Sequence, residues 1–85
     1  MENVVIFYKE GREKKVGFTV SKKIGNAVKR NFAKRRLRAL FSEIEEFLKE
    51  GTYIFVAKKE IVNSRYGYIK SSVVHALKRL KVYKV

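Results

Sequence analysis

Five consecutive residues, Tyr53-Ile54-Phe55-Val56-Ala57, form an almost uninterrupted apolar run. A run this short and this rich in aromatic and β-branched side chains reads as a buried central strand. It constrains the rest of the chain, because 85 residues must supply both that strand's neighbours and the layer that covers them. A chain of this size hides only about 60–65% of its unfolded surface, so residues 1–85 make one domain with a thin core. No cysteine and a single histidine exclude disulfide staples, thiolate metal sites, cysteine nucleophiles and paired-histidine chemistry.

Two further strands are legible. Residues 4–8 (Val-Val-Ile-Phe-Tyr) and 16–20 (Val-Gly-Phe-Thr-Val) are short and β-branched or aromatic, and the polar stretch Lys9 to Lys15 with Gly11 reads as a hairpin loop between them. Val16, Phe18 and Val20 alternate with Gly17, Thr19 and Ser21, so one face is apolar and the other is small and polar, open to close approach by a ligand. After the loop Ser21–Asn26, Asn26 is placed to cap a helix running from about Ala27 to Lys49. On that helix Ala33, Leu37, Leu40, Phe41, Ile44, Phe47 and Leu48 share an arc of about 120°, the core face. Gly51 reads as its stop. A polar stretch through Arg65 comes next. Ile69, Val73, Ala76, Leu77 and Leu80 then recur at helical spacing and define a second helix to about Lys81. The order β-β-α-β-α predicts an α+β fold, a two-layer sandwich in which an antiparallel hairpin is extended by the later strand and both helices cover one face.

Charge points to the partner. The chain carries 21 Lys and Arg against 8 acidic residues, a formal net charge of +13. From Lys22 to Arg38 there are eight basic residues and no acid: Lys22, Lys23, Lys29, Arg30, Lys34, Arg35, Arg36 and Arg38. A solvated surface mixes signs, since like charges at helical spacing repel, so a one-sign block inside a structured segment reads as a surface for a polyanion. Arg30, Asn31, Lys34, Arg35 and Arg38 fall within an arc of about 140° on the first helix, turned roughly 100° from the core face. Arginine grips phosphates and base edges in two places at once, and Asn31 adds an amide that both donates and accepts. Lys22 and Lys23, with the positive end of the helix, extend the strip into the loop.

The segment Phe18-Thr19-Val20-Ser21-Lys22-Lys23-Ile24-Gly25-Asn26-Ala27-Val28-Lys29-Arg30-Asn31, followed by Lys34-Arg35 and Arg38, resembles the signature of the protein subunit of bacterial ribonuclease P. The likeness spans roughly residues 4–82 and includes the Tyr53–Ala57 run. It implies a sandwich with a left-handed crossover through the basic helix, like the second domain of a small-subunit ribosomal protein. It implies an accessory subunit with no catalytic residue and no cofactor of its own. The RNA subunit cleaves precursor tRNA with magnesium, and the protein binds that RNA and the 5′ leader of the substrate. RNA contact is carried over to Arg30, Asn31, Lys34, Arg35 and Arg38, with Lys29 in the same block, and more loosely to Lys22 and Lys23. Phe7 and Phe18 are the aromatics expected in a leader cleft between the sheet and the basic helix, Phe18 serving equally well as core. The family begins with a basic helix and a further strand segment ahead of the position of Asn3. This sequence reads as a short form lacking them, minimal or truncated, with Phe32 either covering the gap or stacking on RNA.

Other readings weigh less. A structural RNA binder of ribosomal type is the runner-up, and the motif separates it from the first. A membrane-surface protein fits poorly, because the cationic flank has no apolar face for lipid. No apolar run approaches the ~20 residues that span a bilayer, and Met1 is followed by Glu2 rather than a signal peptide, which predicts a cytoplasmic protein; the resemblance implies RNA partners and no small-molecule substrate. His75 reads as a surface or structural residue and Tyr66, Tyr68 and Tyr83 as packing residues. Lys78, Arg79, Lys81 and Lys84 complement the end of the second helix. Glu43, Glu45, Glu46 and Glu50 lack the partners of a metal site.

Overall fold

A computed structural model describes residues 4–84, so Met1, Glu2 and the junction at Asn3 lie outside the described residues. Three strands, β1 (Val4–Glu10), β2 (Lys14–Val20) and β3 (Gly51–Ala57), and two helices, α1 (Ala27–Ile44) and α2 (Tyr66–Arg79), succeed one another in the expected β-β-α-β-α order. The sheet order is β1-β3-β2. β3 runs antiparallel to β1 and parallel to β2. The expected hairpin is therefore not formed: β1 and β2 are consecutive and opposite in direction, but β3 lies between them. The burial of β3 explains this, since only the central position pairs both edges of the most apolar strand. The connection Gly11–Glu13 makes it possible, since three residues reach about 10 Å, two strand spacings.

Gly51 is the first residue of β3 rather than a helix stop. It pairs with Glu10 on one side and Lys14 on the other, at φ 140°. A Cβ there would stand 2.7 Å from the Lys9 carbonyl oxygen and 2.6 Å from the Tyr8 ring, so no side chain fits where the third strand enters.

The core lies between the sheet and the helices. Tyr53, Phe55 and Ala57 of β3 are fully buried on that side, together with Leu37, Leu40, Ile44, Ile69 and Leu77 from the helices. The core face of α1 is the expected one, but the helix ends earlier than Lys49. Residues Glu45–Phe47 tighten into a 3₁₀ turn, and Leu48 then pairs with Tyr83. The Lys49 amide donates to the Val82 carbonyl at 3.0 Å and the Lys84 amide to the Phe47 carbonyl at 2.7 Å. The tail of the chain thus takes up backbone groups that a longer helix would have used internally. Phe47 and Tyr83 stack with ring centroids 5.8 Å apart. α2 begins three residues ahead of its first periodic apolar position, Ile69. No helix among the described residues is long and apolar enough to cross a membrane.

Candidate nucleic-acid interface

The parallel pairing of β2 and β3 makes β2–α1–β3 a crossover, and α1 packs on the sheet more over β2 than over β3. Its start is fixed locally. The Asn26 side chain accepts from the Lys29 amide at 3.0 Å, the expected cap. Before it, Lys22–Ile24 forms a 3₁₀ turn capped by Ser21, whose hydroxyl accepts from the Lys23 amide at 3.1 Å. That turn buries Ile24 and leaves Lys22 and Lys23 in solvent. Gly25, at φ 138°, closes it; a Cβ there would press within 2.8 Å of the Lys29 side chain.

The expected strip separates into parts. Asn31, Lys34, Arg35 and Arg38 line one shallow depression together with Val28, which is 74% exposed. Sequence reasoning misses Val28, although its helical position next to Arg35 marks it as part of the same flank. Lys29 is exposed. Arg30 is half-buried, and its Nη1 donates to the Gly25 carbonyl at 3.0 Å, so part of this guanidinium braces the lysine loop. Arg36, counted in the basic block, stands apart: its Nη1 donates to the Ser64 carbonyl at 2.9 Å and its Cζ lies 4.6 Å above the centre of the Phe32 ring. Phe32 packs against Arg36 rather than standing free. The spacing Phe32–Arg36 is the i, i+4 signal from which the pair can be read.

No carboxylate among the described residues forms an ion pair with the block. Among the described residues two ion pairs form, Lys15–Glu13 at 3.9 Å and Lys70–Glu43 at 3.5 Å, and neither involves residues 22–38. Glu43 faces the other flank of α1, where the Tyr66 hydroxyl donates to it and holds its pKa below the ordinary carboxylate value, with Lys70 adding to the effect. Burial, and next the bond to Glu43, push the Tyr66 phenol up to about 12.

The two cleft aromatics do not share a cleft. Residue pairing puts Phe7, Ile54 and Gly17 abreast on the open face of the sheet, and Ile6, Phe55 and Phe18 on the helix side. Phe7 is 58% exposed. Phe18 meets Phe55 at 5.6 Å and the edge of Phe41 at 6.2 Å, so it serves the core while flooring a groove walled by Lys34 and Arg38. The alternation of side chains along a strand forces this separation, since 7 and 18 fall on opposite sides once β3 sets the register. His75 is exposed on α2. Tyr66 and Tyr83 pack against the core, whereas Tyr68 is 52% exposed.

A family model for ribonuclease P matches residues 1–81. The chain is similar to the ribonuclease P protein component of Nitratiruptor sp., 40% identical over 77 residues that are 91% of this chain and 71% of that protein. It is similar to the same component of Halalkalibacterium halodurans, 40% identical over 81 residues that are 93% of this chain and 68% of that protein. The fold superposes on a solved Staphylococcus aureus RNase P protein with TM-score 0.81 at 30% identity, covering 94% of this chain and 76% of that one. It shares its fold with the RNase P protein of Thermotoga maritima, TM-score 0.77 at 22% identity, over 89% of this chain and 76% of that one. With the motif on α1, these likenesses place the chain in the ribonuclease P protein family, as the accessory protein subunit of a tRNA-processing endoribonuclease.

Proposed function

We propose that this chain binds the catalytic RNA of ribonuclease P through the exposed flank of α1 and the lysine loop before it, and holds the single-stranded 5′ leader of precursor tRNA against the open face of the sheet. The observation that carries the first half is the flank Asn31, Lys34, Arg35 and Arg38, of one sign and with no carboxylate partner among the described residues. Guanidinium and ammonium groups left unpaired in this way exchange counterions for phosphates. The second half is supported by the open face, where Phe7 stands exposed, Gly17 leaves the sheet bare beside Ile54, and Lys9 and Lys15 flank Thr52 at one end. An aromatic platform with nearby lysines suits unpaired nucleotides. Phe18 lies on the helix side of the sheet against Phe55 and Phe41, so Phe7 is the aromatic that the open face offers.

Cleavage in this reading belongs to the RNA and its magnesium ions. Among the described residues no three carboxylate or imidazole groups converge. The protein works in the cytoplasm, where precursor tRNA is processed. Equilibrium binding to a bacterial ribonuclease P RNA should weaken with salt at a slope of about −3.5 to −6 in log K against log salt, the value for roughly five to seven neutralised phosphates. Adding the protein should also lower the magnesium that the RNA needs to cleave precursor tRNA. A slope shallower than about −2 removes the flank as the interface. Tight binding with an unchanged magnesium requirement would favour a structural RNA binder of ribosomal type.

A further inference from the structure

β2 and β3 run parallel and end in register, Val20 beside Ala57. The segments that leave the two strands must therefore emerge from the same edge of the sheet, one strand spacing apart, about 5 Å. Both segments have the same design. After β2, Lys22-Lys23-Ile24 forms a 3₁₀ turn. After β3, Lys58 precedes a second one, Lys59–Asn63. Each turn sends an isoleucine into the core, Ile24 at 6% exposure and Ile61 at 1%, and each leaves two lysines in solvent. The two turns pack against each other, and the second is tied to α1 by the bond from Arg36 to the Ser64 carbonyl. Lysines about 35 residues apart in sequence thus share one surface. No acid partner holds any of them, since the two ion pairs among the described residues lie elsewhere. The one acid on the second turn, Glu60, is half-buried and makes no ion pair among the described residues, while its carbonyl accepts from Ser64.

We infer that Lys22, Lys23, Lys58 and Lys59 form a single phosphate-binding surface at the carboxyl ends of β2 and β3, which carries the RNA interface past the first turn of α1 onto a segment outside the sequence motif. Ammonium groups on compact, strongly hydrated tips suit a backbone read as charge alone, without base edges. The inference rests on the RNA-binding reading above and adds Lys58 and Lys59 to it.

The test uses the full chain and a bacterial ribonuclease P RNA, with binding measured from 50 to 200 mM salt. The double variant Lys58→Ala/Lys59→Ala should flatten the slope of log K against log salt by about 1.4–1.8, two phosphate contacts. Lys58→Arg/Lys59→Arg should restore it. Lys81→Ala/Lys84→Ala removes the same charge past the other end of α1, about 25 Å away, where the Lys84 amide bonds to Phe47. That variant should leave the slope unchanged. Equal flattening by both doubles would mean that net charge alone is being read, and overturns the inference. No flattening by Lys58→Ala/Lys59→Ala while Arg35→Ala still flattens the slope also overturns it and leaves the parent reading standing. A parent slope shallower than about −2 removes both. Circular dichroism of each variant confirms that the fold is retained, which substitution of exposed lysines should not disturb.

Discussion

The two flanks of α1 that border its buried face carry arginines with opposite fates. On one, Arg35 and Arg38 stand in solvent around a shared depression with Asn31 and Lys34, and no carboxylate meets them among the described residues. On the other, one residue along, Arg36 lies on the Phe32 ring and bonds the Ser64 carbonyl, while Glu43 takes the Tyr66 hydroxyl and Lys70. The first flank keeps its charge open to solvent, and the second uses its charge to join α1 to the start of α2. A tally of basic residues cannot separate the two, because the difference lies in which backbone and rings arrive from elsewhere in the chain. A cation whose donors already have partners offers less to a phosphate than one whose donors face water.

The comparison breaks most clearly if the exposed flank proves dispensable. Replacing Lys34, Arg35 and Arg38 together by alanine should flatten the salt slope by about 2–3 and lower affinity for ribonuclease P RNA by roughly two orders of magnitude near 0.1 M salt. Stability should move by no more than about 1 kcal/mol, since Arg35 and Arg38 are exposed and only Lys34 is half-buried. Filter binding and thermal melting on the same preparations read both quantities.

The opposite flank should respond in stability rather than in binding. Arg36→Ala should cost about 1–3 kcal/mol of stability by urea unfolding, because it removes a charged hydrogen bond and a cation–ring contact. Its salt slope should stay within about 0.3 of the parent. Arg36→Lys should recover only part of the stability, since an ammonium cannot lie flat on Phe32 while reaching Ser64. A slope change as large as that of Arg35→Ala would show that both flanks meet RNA.

The smallest effect sharpens the second flank by pH. Glu43 is held below its ordinary pKa of 4.5 by the Tyr66 hydroxyl first. A carboxylate with a lowered pKa in the folded state adds stability above the unfolded value, and that stability is lost as pH falls through the folded pKa. Tyr66→Phe should therefore make the fall in stability below about pH 4.5 shallower, measured by unfolding at pH 3 to 6. An unchanged acid limb would mean that the phenol does not govern this carboxylate.

Much of the site is legible in the order of the residues. Asn26 as cap, the core face Ala33, Leu37, Leu40, Phe41 and Ile44, and the solvent side of Asn31, Arg35 and Arg38 all come from the 3.6-residue period, which acts within one helix. Phe7 and Phe18 cannot be assigned to a face together in this way, because strand alternation says only that neighbours differ, and relative facing across two strands depends on register. Gly51 carries a signal with two meanings. Its freedom serves the entry of β3 between two strands rather than the end of a helix.

The amino-acid sequence by itself determined the five elements and their order, the apolar faces and the acid-free block on the first helix, since each arises from side chains within a few residues of one another. Tertiary structure alone decided that β3 lies between β1 and β2, that Leu48 leaves the helix to pair with Tyr83, that Arg36 is committed to Ser64, and that the turn after β3 packs against the turn after β2. Those outcomes share one cause. Which strand pairs with which is settled by the burial and hydrogen bonding of the whole sheet, and the most apolar strand takes the place where both its edges and its helix-facing side are covered.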